Sequence, residues 1–177
     1  MPPVSSPLSR WKRPESVLVV VYRRVFAEEP EILLLERAAH PGYWQSVTGS
    51  LEAEETPLDA ACREVREETG IRLPAARFHD WHVTREYEIF PEWRDRYAPG
   101  ITRNVEHVFS LAVSRKARIR LSEPEHRDFL WLPAREAARR CFSPSNRKAI
   151  LALARTEKSG GDPASMQTDL KDSRFFP

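Results

Sequence analysis

Three glutamates stand close together near the middle of the 177-residue chain, at positions 64, 67 and 68. In a helix, residues three and four positions apart are neighbours, so Glu64 would face both Glu67 and Glu68 at a cost of about 0.2–0.5 kcal/mol per pair. A hard divalent cation would offset this repulsion, because Mg²⁺ prefers carboxylate oxygens and binds substrate phosphates at the same time. The alternative is a solvated acidic face neutralised by Arg63 and Arg66, which is the simpler interpretation of the three glutamates taken alone.

The residues around the glutamates mark the two ends of a helix. Thr56 is a good N-cap, Pro57 suits the first helical position, and Asp59 stands where a capping-box acid is found. Gly70 suits the left-handed residue that follows a helix C-terminus. These signals predict a helix over residues 57–69. Its apolar stripe, which we expect to face the core, comprises Leu58, Ala61, Cys62, Val65 and Thr69.

The spacing of the whole segment narrows the interpretation. It runs Gly49, five residues, Glu55, seven residues, Arg63-Glu64-Val65, one residue, Glu67-Glu68, one residue, then Gly70-Ile71. This pattern, here called the Nudix segment, resembles the signature of the Nudix hydrolases at every specified position. The resemblance implies an α+β class (a mixed α/β sandwich) with the Nudix fold, in which a mixed β-sheet is packed between helices. It also implies a loop–helix–loop that binds Mg²⁺, with Mn²⁺ as a substitute, and hydrolysis of a diphosphate bond.

Carried onto this chain, the resemblance implies Glu64, Glu67 and Glu68 as the metal-binding acids. Arg63 would reach the preceding loop and hold the glutamates in place, and Glu55 is the acid of that loop. The metal ions would neutralise phosphate oxygens and activate a water for in-line attack on phosphorus. All five residues are therefore assigned to catalysis.

A further metal or base acid commonly lies outside this segment in Nudix enzymes, in a loop after the main strands. Glu123 and Glu125 are the candidates in this chain. Alignment with the related branch described next favours Glu123, which we therefore predict as a fourth metal ligand.

Three flanking segments resemble a narrower branch of the family, the dihydroneopterin triphosphate pyrophosphohydrolases of folate biosynthesis. They are residues 44–50 (WQSVTGS), 96–104 (RYAPGITRN) and 145–147 (SNR). Together with the Nudix segment, the similarity covers most of residues 11–150. It implies release of pyrophosphate from dihydroneopterin triphosphate, which leaves the monophosphate. The alternatives are a pyrophosphatase for dATP or another nucleoside triphosphate, and a non-catalytic module that binds a phosphate ligand or RNA.

A pterin triphosphate site needs cations for the phosphates and a flat apolar slot for the ring. Arginine offers a planar fork and lysine a point charge for phosphate oxygens, and the candidates are Lys12, Arg37 and Arg103. The candidate ring-binding residues are Tyr87, Ile89 and Phe90, with Glu88 as an acceptor for ring protons. Two further candidates for substrate binding are Thr48, just before the Nudix segment, and Ser143, which at the start of the last helix offers its hydroxyl and nearby backbone N–H groups. Taken singly, several have plainer alternatives, which are an ion pair for Arg37, core packing for Tyr87 and Phe90, and an N-cap for Ser143.

Short apolar runs bounded by proline and charged residues predict the strands that position these side chains. The runs are residues 16–22, 31–37, 82–90, 105–113 and 129–132. Further helices are predicted from Pro133, and from Ser143-Pro144 to about Arg155. Strands with interspersed helices indicate a mixed α/β or α+β domain, which is compatible with the fold that the resemblance implies.

Composition limits the remaining possibilities. We expect one domain at residues 14–155, between a flexible arm (1–13) and a disordered tail (156–177). A net charge of +2 gives little reason to expect a nucleic-acid partner. The resemblance implies a small-molecule triphosphate as the partner, and the oligomeric state stays open. The apolar runs are too short to span a membrane, and the N-terminus lacks the apolar stretch of a secretory signal, which together predict a cytoplasmic location.

Overall fold

The computed structural model describes residues 10–26 and 28–159. Within these residues, seven strands form one sheet: β1 (Glu15–Arg23), β2 (Glu31–Arg37), β3 (Trp44–Gln45), β4 (Val47–Ser50), β5 (Phe78–Glu88), β6 (Arg103–Ala112) and β7 (His126–Pro133). The α-helices are α1 (Pro57–Thr69), α2 (Ala134–Arg140) and α3 (Pro144–Ser159), and short 3₁₀ helices lie at Ala75–Arg77 and Pro91–Arg96.

Strand β1 is the centre of the sheet. It pairs in parallel with β6 on one side, and on the other side it pairs antiparallel with β4 along its first half and with β2 near its end. Strand β2 pairs antiparallel with β3 and β7, and β5 pairs antiparallel with β6. The sheet is therefore mixed, which confirms the predicted α+β class and the mixed sheet packed between helices.

Alternation along β1 divides the core into two layers, because successive side chains of a strand point to opposite faces. Val17, Val19 and Val21 are fully buried on the face that packs against α1. Leu18 and Val20 are fully buried on the opposite face, against α2 and α3. Burial of each such side chain stabilises the fold by about 1.5–3 kcal/mol, so β1 fixes the positions of the elements on both sides of it.

Helix α1 has the ends that its sequence predicts, Pro57–Thr69. Thr56 Oγ1 accepts a hydrogen bond from Asp59 N–H (3.2 Å), and Asp59 Oδ2 accepts one from Thr56 N–H (3.3 Å), so the capping box is formed. Gly70 adopts a φ of 72°, and its N–H donates to Arg66 O. Local chemistry therefore fixes both ends of the helix that carries the three glutamates.

The five predicted strands all form, but several boundaries differ. Strand β5 covers residues 78–88 rather than 82–90, because β6 supplies pairing partners as far as Phe78, which lies opposite Leu111. Strands β3 and β4 were not predicted, since they have two and four residues and are too short to show a period-2 pattern. Both form because longer neighbours offer unpaired backbone groups.

Both predicted ends of the domain also differ from the structure. Helix α3 continues to Ser159, past the predicted end near Arg155, so the first residues of the predicted tail are helical. At the N-terminus, Lys12 N–H donates to Arg96 O (2.9 Å), which holds this part of the predicted arm against the rest of the chain. The remainder of the arm and tail, residues 1–9 and 160–177, lies outside the described residues.

None of the described helices is both long enough and apolar enough to cross a membrane. The cytoplasmic location stays a prediction.

Candidate active site

A cavity of about 1730 Å³ lies beside the first residues of β1, with Ser16 and Leu18 in its lining. Its walls come from the start of β1, from β4 and the loop after it, from α1, from the end of β5, from β6 and from the N-terminal half of α3. Helix α1 contributes acids to one wall. Strands β5 and β6 and helix α3 contribute a second, mixed wall.

The three glutamates of α1 all line the cavity. Glu64 and Glu68 are 8% and 2% exposed, whereas 49% of the Glu67 side chain is exposed. Strand β4 passes directly against Glu64, because a Cβ atom on Gly49 would lie 1.8 Å from Glu64 Oε1. A side chain at position 49 would therefore displace the Glu64 carboxylate from this position.

Arg63 joins the helix to the loop that precedes it. Its Nε and Nη2 atoms donate to the two carboxylate oxygens of Glu55 (2.8 and 2.9 Å), and Nη2 also donates to Ser50 O (3.0 Å). Its Nη1 atom donates to Glu64 Oε1 (2.7 Å) and Glu67 Oε2 (3.3 Å). Such bidentate, charge-assisted bonds fix geometry as well as charge, so Arg63 holds the acids in the arrangement that the resemblance implies.

The acids of this wall carry more negative charge than Arg63 can neutralise. Burial, together with the neighbouring Glu68 carboxylate, raises the pKa of Glu64 to about 7. Burial also raises the pKa of Glu68. Glu55 behaves differently, because its hydrogen bonds to Arg63 lower its pKa. A bound cation would favour the ionised forms of Glu64 and Glu68, since it supplies the missing positive charge.

The donor set at this wall fits a divalent cation. Ligand atoms of Glu68, Glu125 and His126 lie within 4.8 Å of one another. His126 Nε2 lies 3.2 Å from Glu68 Oε2, and both residues are buried. Carboxylate oxygens suit Mg²⁺, and an imidazole is accepted by several divalent metals. The cluster is thus a candidate metal site.

The structure places the fourth predicted metal ligand, Glu123, outside the cavity. Glu123 and Glu125 are both exposed, but only Glu125 lines the cavity. Glu125 N–H donates to Ser122 O (3.0 Å), and Glu125 O accepts from Ala38 N–H (2.8 Å), so this turn is attached to the end of β2. The sequence shows two acids on either side of Pro124, and only the attachment to β2 decides which of them faces the cavity.

Of the three predicted phosphate ligands, Lys12 and Arg37 line the cavity. The pKa of each is lowered by loss of solvent and by the positive charge of Arg96, which lines the same wall. Arg37 also stacks on Trp93, with its guanidinium carbon 4.9 Å from the ring centroid. The structure places Arg103 elsewhere, because it pairs with Glu86 and does not line the cavity.

Of the other predicted substrate-binding residues, most line the cavity and one does not. Tyr87, Phe90, Thr48 and Ser143 line the cavity. The structure places Ile89 elsewhere, since it is 2% exposed in the core and does not line the cavity.

Glu88 also lines the cavity, but 70% of its side chain is exposed and Arg94 Nη2 donates to its Oε1 atom (2.5 Å). The Glu88 carboxylate therefore already has a charged partner at the surface. This weakens its predicted role as the acceptor for ring protons.

Glu106 and Arg85 are among the charged residues of the second wall that sequence reasoning missed. Glu106 on β6 is 4% exposed, and burial raises its pKa to about 7 against the opposing effects of Ser145 and Arg85. Arg85 on β5 lies opposite Glu106 in the sheet, and both line the cavity. A signal was present in the sequence, because Glu106 has the same strand parity as the apolar Val108.

Comparison with known proteins gives consistent matches. The protein-family model of the NUDIX domain matches residues 12–153 of this chain. A curated dihydroneopterin triphosphate diphosphatase of Escherichia coli (strain K12) is 45% identical over 142 residues, which are 79% of this chain and 91% of that protein. The Haemophilus influenzae protein of the same name is 38% identical over 145 residues, 81% of this chain and 89% of that protein.

Solved structures agree with the sequence matches. The structure of the E. coli dihydroneopterin triphosphate pyrophosphohydrolase superposes with a TM-score of 0.74 at 43% identity, covering 82% of this chain and 98% of that one. A NUDIX hydrolase structure from Listeria monocytogenes superposes with a TM-score of 0.70 at 20% identity, and supports the fold alone.

Proposed function

The chain belongs to the NUDIX domain family, and from this we propose that it is a Mg²⁺-dependent pyrophosphohydrolase acting on dihydroneopterin triphosphate. The products are dihydroneopterin monophosphate and pyrophosphate. The proposal gives the chain a small-molecule triphosphate as its substrate and assigns it no nucleic-acid partner.

One observation carries the proposal. The cavity that contains the buried acids of the Nudix segment is also lined by basic residues, among them Lys12, Arg37 and Arg96. Acids and cations that line one cavity suit a metal ion bound together with phosphates, because the metal binds the acids and the cations bind the remaining phosphate oxygens. The substrate named for the E. coli and H. influenzae relatives supplies the phosphates, since it is a triphosphate.

Glu68, Glu125 and His126 would hold the metal ion together with Glu64, which lines the same cavity, and Glu67 lies at the rim of this wall. When bound, the ion supplies charge neutralisation at phosphate oxygens and lowers the pKa of a bound water. Mn²⁺, which accepts the same donors, is a substitute.

The other residues of the site bind and orient the substrate. Arg63 keeps Glu64 in place through its simultaneous bonds to Glu55 and Ser50 O. Lys12 and Arg37 attract the triphosphate chain, and Arg37 is itself oriented by Trp93. Preorganised charges of this kind stabilise the charge that develops in the transition state, since they need no reorganisation during the reaction.

The test is identification of the products. Purified protein is incubated with dihydroneopterin triphosphate and Mg²⁺, and the phosphorus-containing products are followed by ³¹P NMR. We expect pyrophosphate and the pterin monophosphate in equal amounts. Orthophosphate as the sole inorganic product would contradict the proposal, and so would an absence of turnover, which would favour a binding module. A higher kcat/KM for dATP than for the pterin substrate would instead favour a nucleotide pyrophosphatase.

A further inference from the structure

The second wall of the cavity contains two residues of opposite charge at paired positions of the sheet, the buried Glu106 and the half-buried Arg85. Glu106 is 4% exposed, and the Ser145 hydroxyl hydrogen-bonds to its carboxylate. Arg85 Nη1 donates to Ser145 O (2.9 Å). Ser145, at the start of α3, therefore connects the two charged residues and ties them to the helix.

The pair keeps hydrogen-bonding capacity that the protein does not use. Among the described residues, Glu106 Oε1 and Arg85 Nη2 are buried and have no hydrogen-bond partner. A buried polar atom left in this state costs about 1–3 kcal/mol, and native proteins contain few of them. Because both side chains line the cavity, a ligand can provide the missing partners, with N–H donors for Glu106 and a carbonyl oxygen for Arg85.

Paired positions on adjacent strands connect the end of β4, in the Nudix segment, with Glu106 and Arg85. Ser50 on β4 lies opposite Ser16 on β1, Ser16 lies opposite Glu106 on β6, and Glu106 lies opposite Arg85 on β5. Ser50 O is also a partner of Arg63. Two strand spacings separate Ser50 from Glu106, which is about 10 Å. One extended ligand can therefore reach from the acids of α1 to Glu106.

The surroundings of the pair suit a flat ring. Leu18 and Ala152 line the cavity on the face of the sheet to which Glu106 points, and the Tyr87 ring lies on the same wall. Tyr87 is oriented by hydrogen bonds to Ser16 and Asn104. An apolar surface with a few fixed polar groups is typical of small-molecule sites, in which the polar groups determine orientation.

We infer that Glu106 and Arg85 determine ring specificity by binding the edge that carries an amino group, a ring N–H and a carbonyl oxygen. This rests on the proposed function, because the pterin ring of dihydroneopterin triphosphate has this edge. The Glu106 carboxylate accepts from the amino group and the ring N–H, and the Arg85 guanidinium donates to the carbonyl oxygen. Guanine has the same edge. In adenine the amino group stands beside a ring nitrogen that carries no proton. This nitrogen would present a lone pair to the carboxylate, so adenine is disfavoured at this position.

The test compares three triphosphates, those of dihydroneopterin, guanosine and adenosine, in wild type and Glu106→Gln at saturating Mg²⁺. Glutamine keeps the shape of the side chain but replaces one acceptor by a donor. We expect kcat/KM for the pterin and guanosine substrates to fall at least about tenfold, mainly through KM, while the value for ATP changes less than about threefold. Arg85→Lys, which keeps the charge but loses the planar fork, should shift the three values in the same direction.

The matched control is Glu31→Gln, because Glu31 pairs with Arg23 at the far end of β2 and does not line the cavity. It should leave all three values unchanged. Equal losses on the three substrates in Glu106→Gln would overturn the inference, and so would no loss on any of them. If Glu106→Gln does not fold, Arg85→Lys decides by the same criteria.

The same experiment separates this inference from the proposed function. Wild-type turnover of the pterin substrate with no change of preference in the variants supports the function and overturns the inference. No wild-type turnover of the pterin substrate, combined with a preference for GTP over ATP that Glu106→Gln removes, overturns the function and supports the assignment of Glu106 and Arg85.

Discussion

The two walls of the cavity each contain a buried glutamate whose pKa is raised to about 7, Glu64 on α1 and Glu106 on β6. Burial is the main cause at both positions. The neighbours differ, because Glu64 stands beside the Glu68 carboxylate, whereas Glu106 faces the Arg85 guanidinium and the Ser145 hydroxyl. The first wall has excess negative charge and is therefore suited to bind a cation. The second wall has one carboxylate opposite an arginine and is therefore suited to bind a ligand with neutral hydrogen-bonding groups.

The largest expected effect is the loss of turnover when an acid of the first wall is replaced. Glu64→Gln and Glu68→Gln should each lower kcat by at least about 100-fold, because a lost metal ligand removes charge stabilisation from the transition state. Steady-state assays at saturating Mg²⁺ measure this, with Glu31→Gln as the control. Near-normal kcat in both variants would contradict the metal assignment and remove the distinction between the walls.

A second effect is selective loss of stabilisation by Mg²⁺. A ligand that binds only the folded protein at 100 times its Kd stabilises it by about 2.7 kcal/mol. Urea unfolding with and without Mg²⁺ should show this gain for wild type and Glu106→Gln, and should show little of it for Glu68→Gln. Equal loss of the gain in Glu68→Gln and Glu106→Gln would mean that the two walls do not have separate roles.

A third effect comes from the close packing of β4 against Glu64. In Gly49→Ala the new Cβ would overlap the Glu64 carboxylate, which must move. We expect kcat to fall about tenfold, because small displacements at a catalytic site are costly. In a double-mutant cycle, Gly49→Ala should cost little more once Glu64 is already glutamine. Fully additive losses would show that Gly49 acts through something other than Glu64.

The smallest effect is a pH dependence of stability at the second wall. The pKa of Glu106 is about 7 in the folded protein against an ordinary value of 4.5, so the folded state binds more protons between these values and stability falls as pH rises through this window. The charged and titratable groups near it are Arg85 and Tyr87 on β5 and, beside Arg85, Lys148 on α3.

Glu106→Gln does not titrate at this position. Without metal, its free energy of unfolding should therefore rise by about 1–2 kcal/mol relative to that of wild type as the pH is raised from 5 to 8. Urea unfolding at the two pH values measures the difference. If the difference in free energy of unfolding between the two proteins is the same at both pH values, ionisation of the buried Glu106 does not destabilise the folded protein.

The residues of the first wall were predictable because their signals are local. The N-cap at Thr56, the left-handed Gly70 and the spacing of the glutamates all lie within one helix and its two ends, and the structure has the helix at the predicted residues. The same holds for Arg63, whose partner Glu55 is eight residues away in sequence.

The second wall depends on register between strands, which the sequence does not state. Arg103 was predicted to bind phosphate, but its place opposite Glu88 at the end of the β5–β6 ladder puts it beside Glu86 instead. Ile89 follows the last residue of β5, and is buried rather than in the ring slot. The choice between Glu123 and Glu125 depended similarly on a contact with β2 that is distant in sequence.

The most direct measurement is a crystal structure of the protein with Mg²⁺ and a non-hydrolysable analogue of dihydroneopterin triphosphate. We predict metal ions bound by Glu64 and Glu68, phosphates beside Lys12 and Arg37, and the pterin edge against Glu106. Metal ions and phosphates bound away from α1, with Glu64 and Glu68 in contact only with protein or solvent, would contradict the central claim.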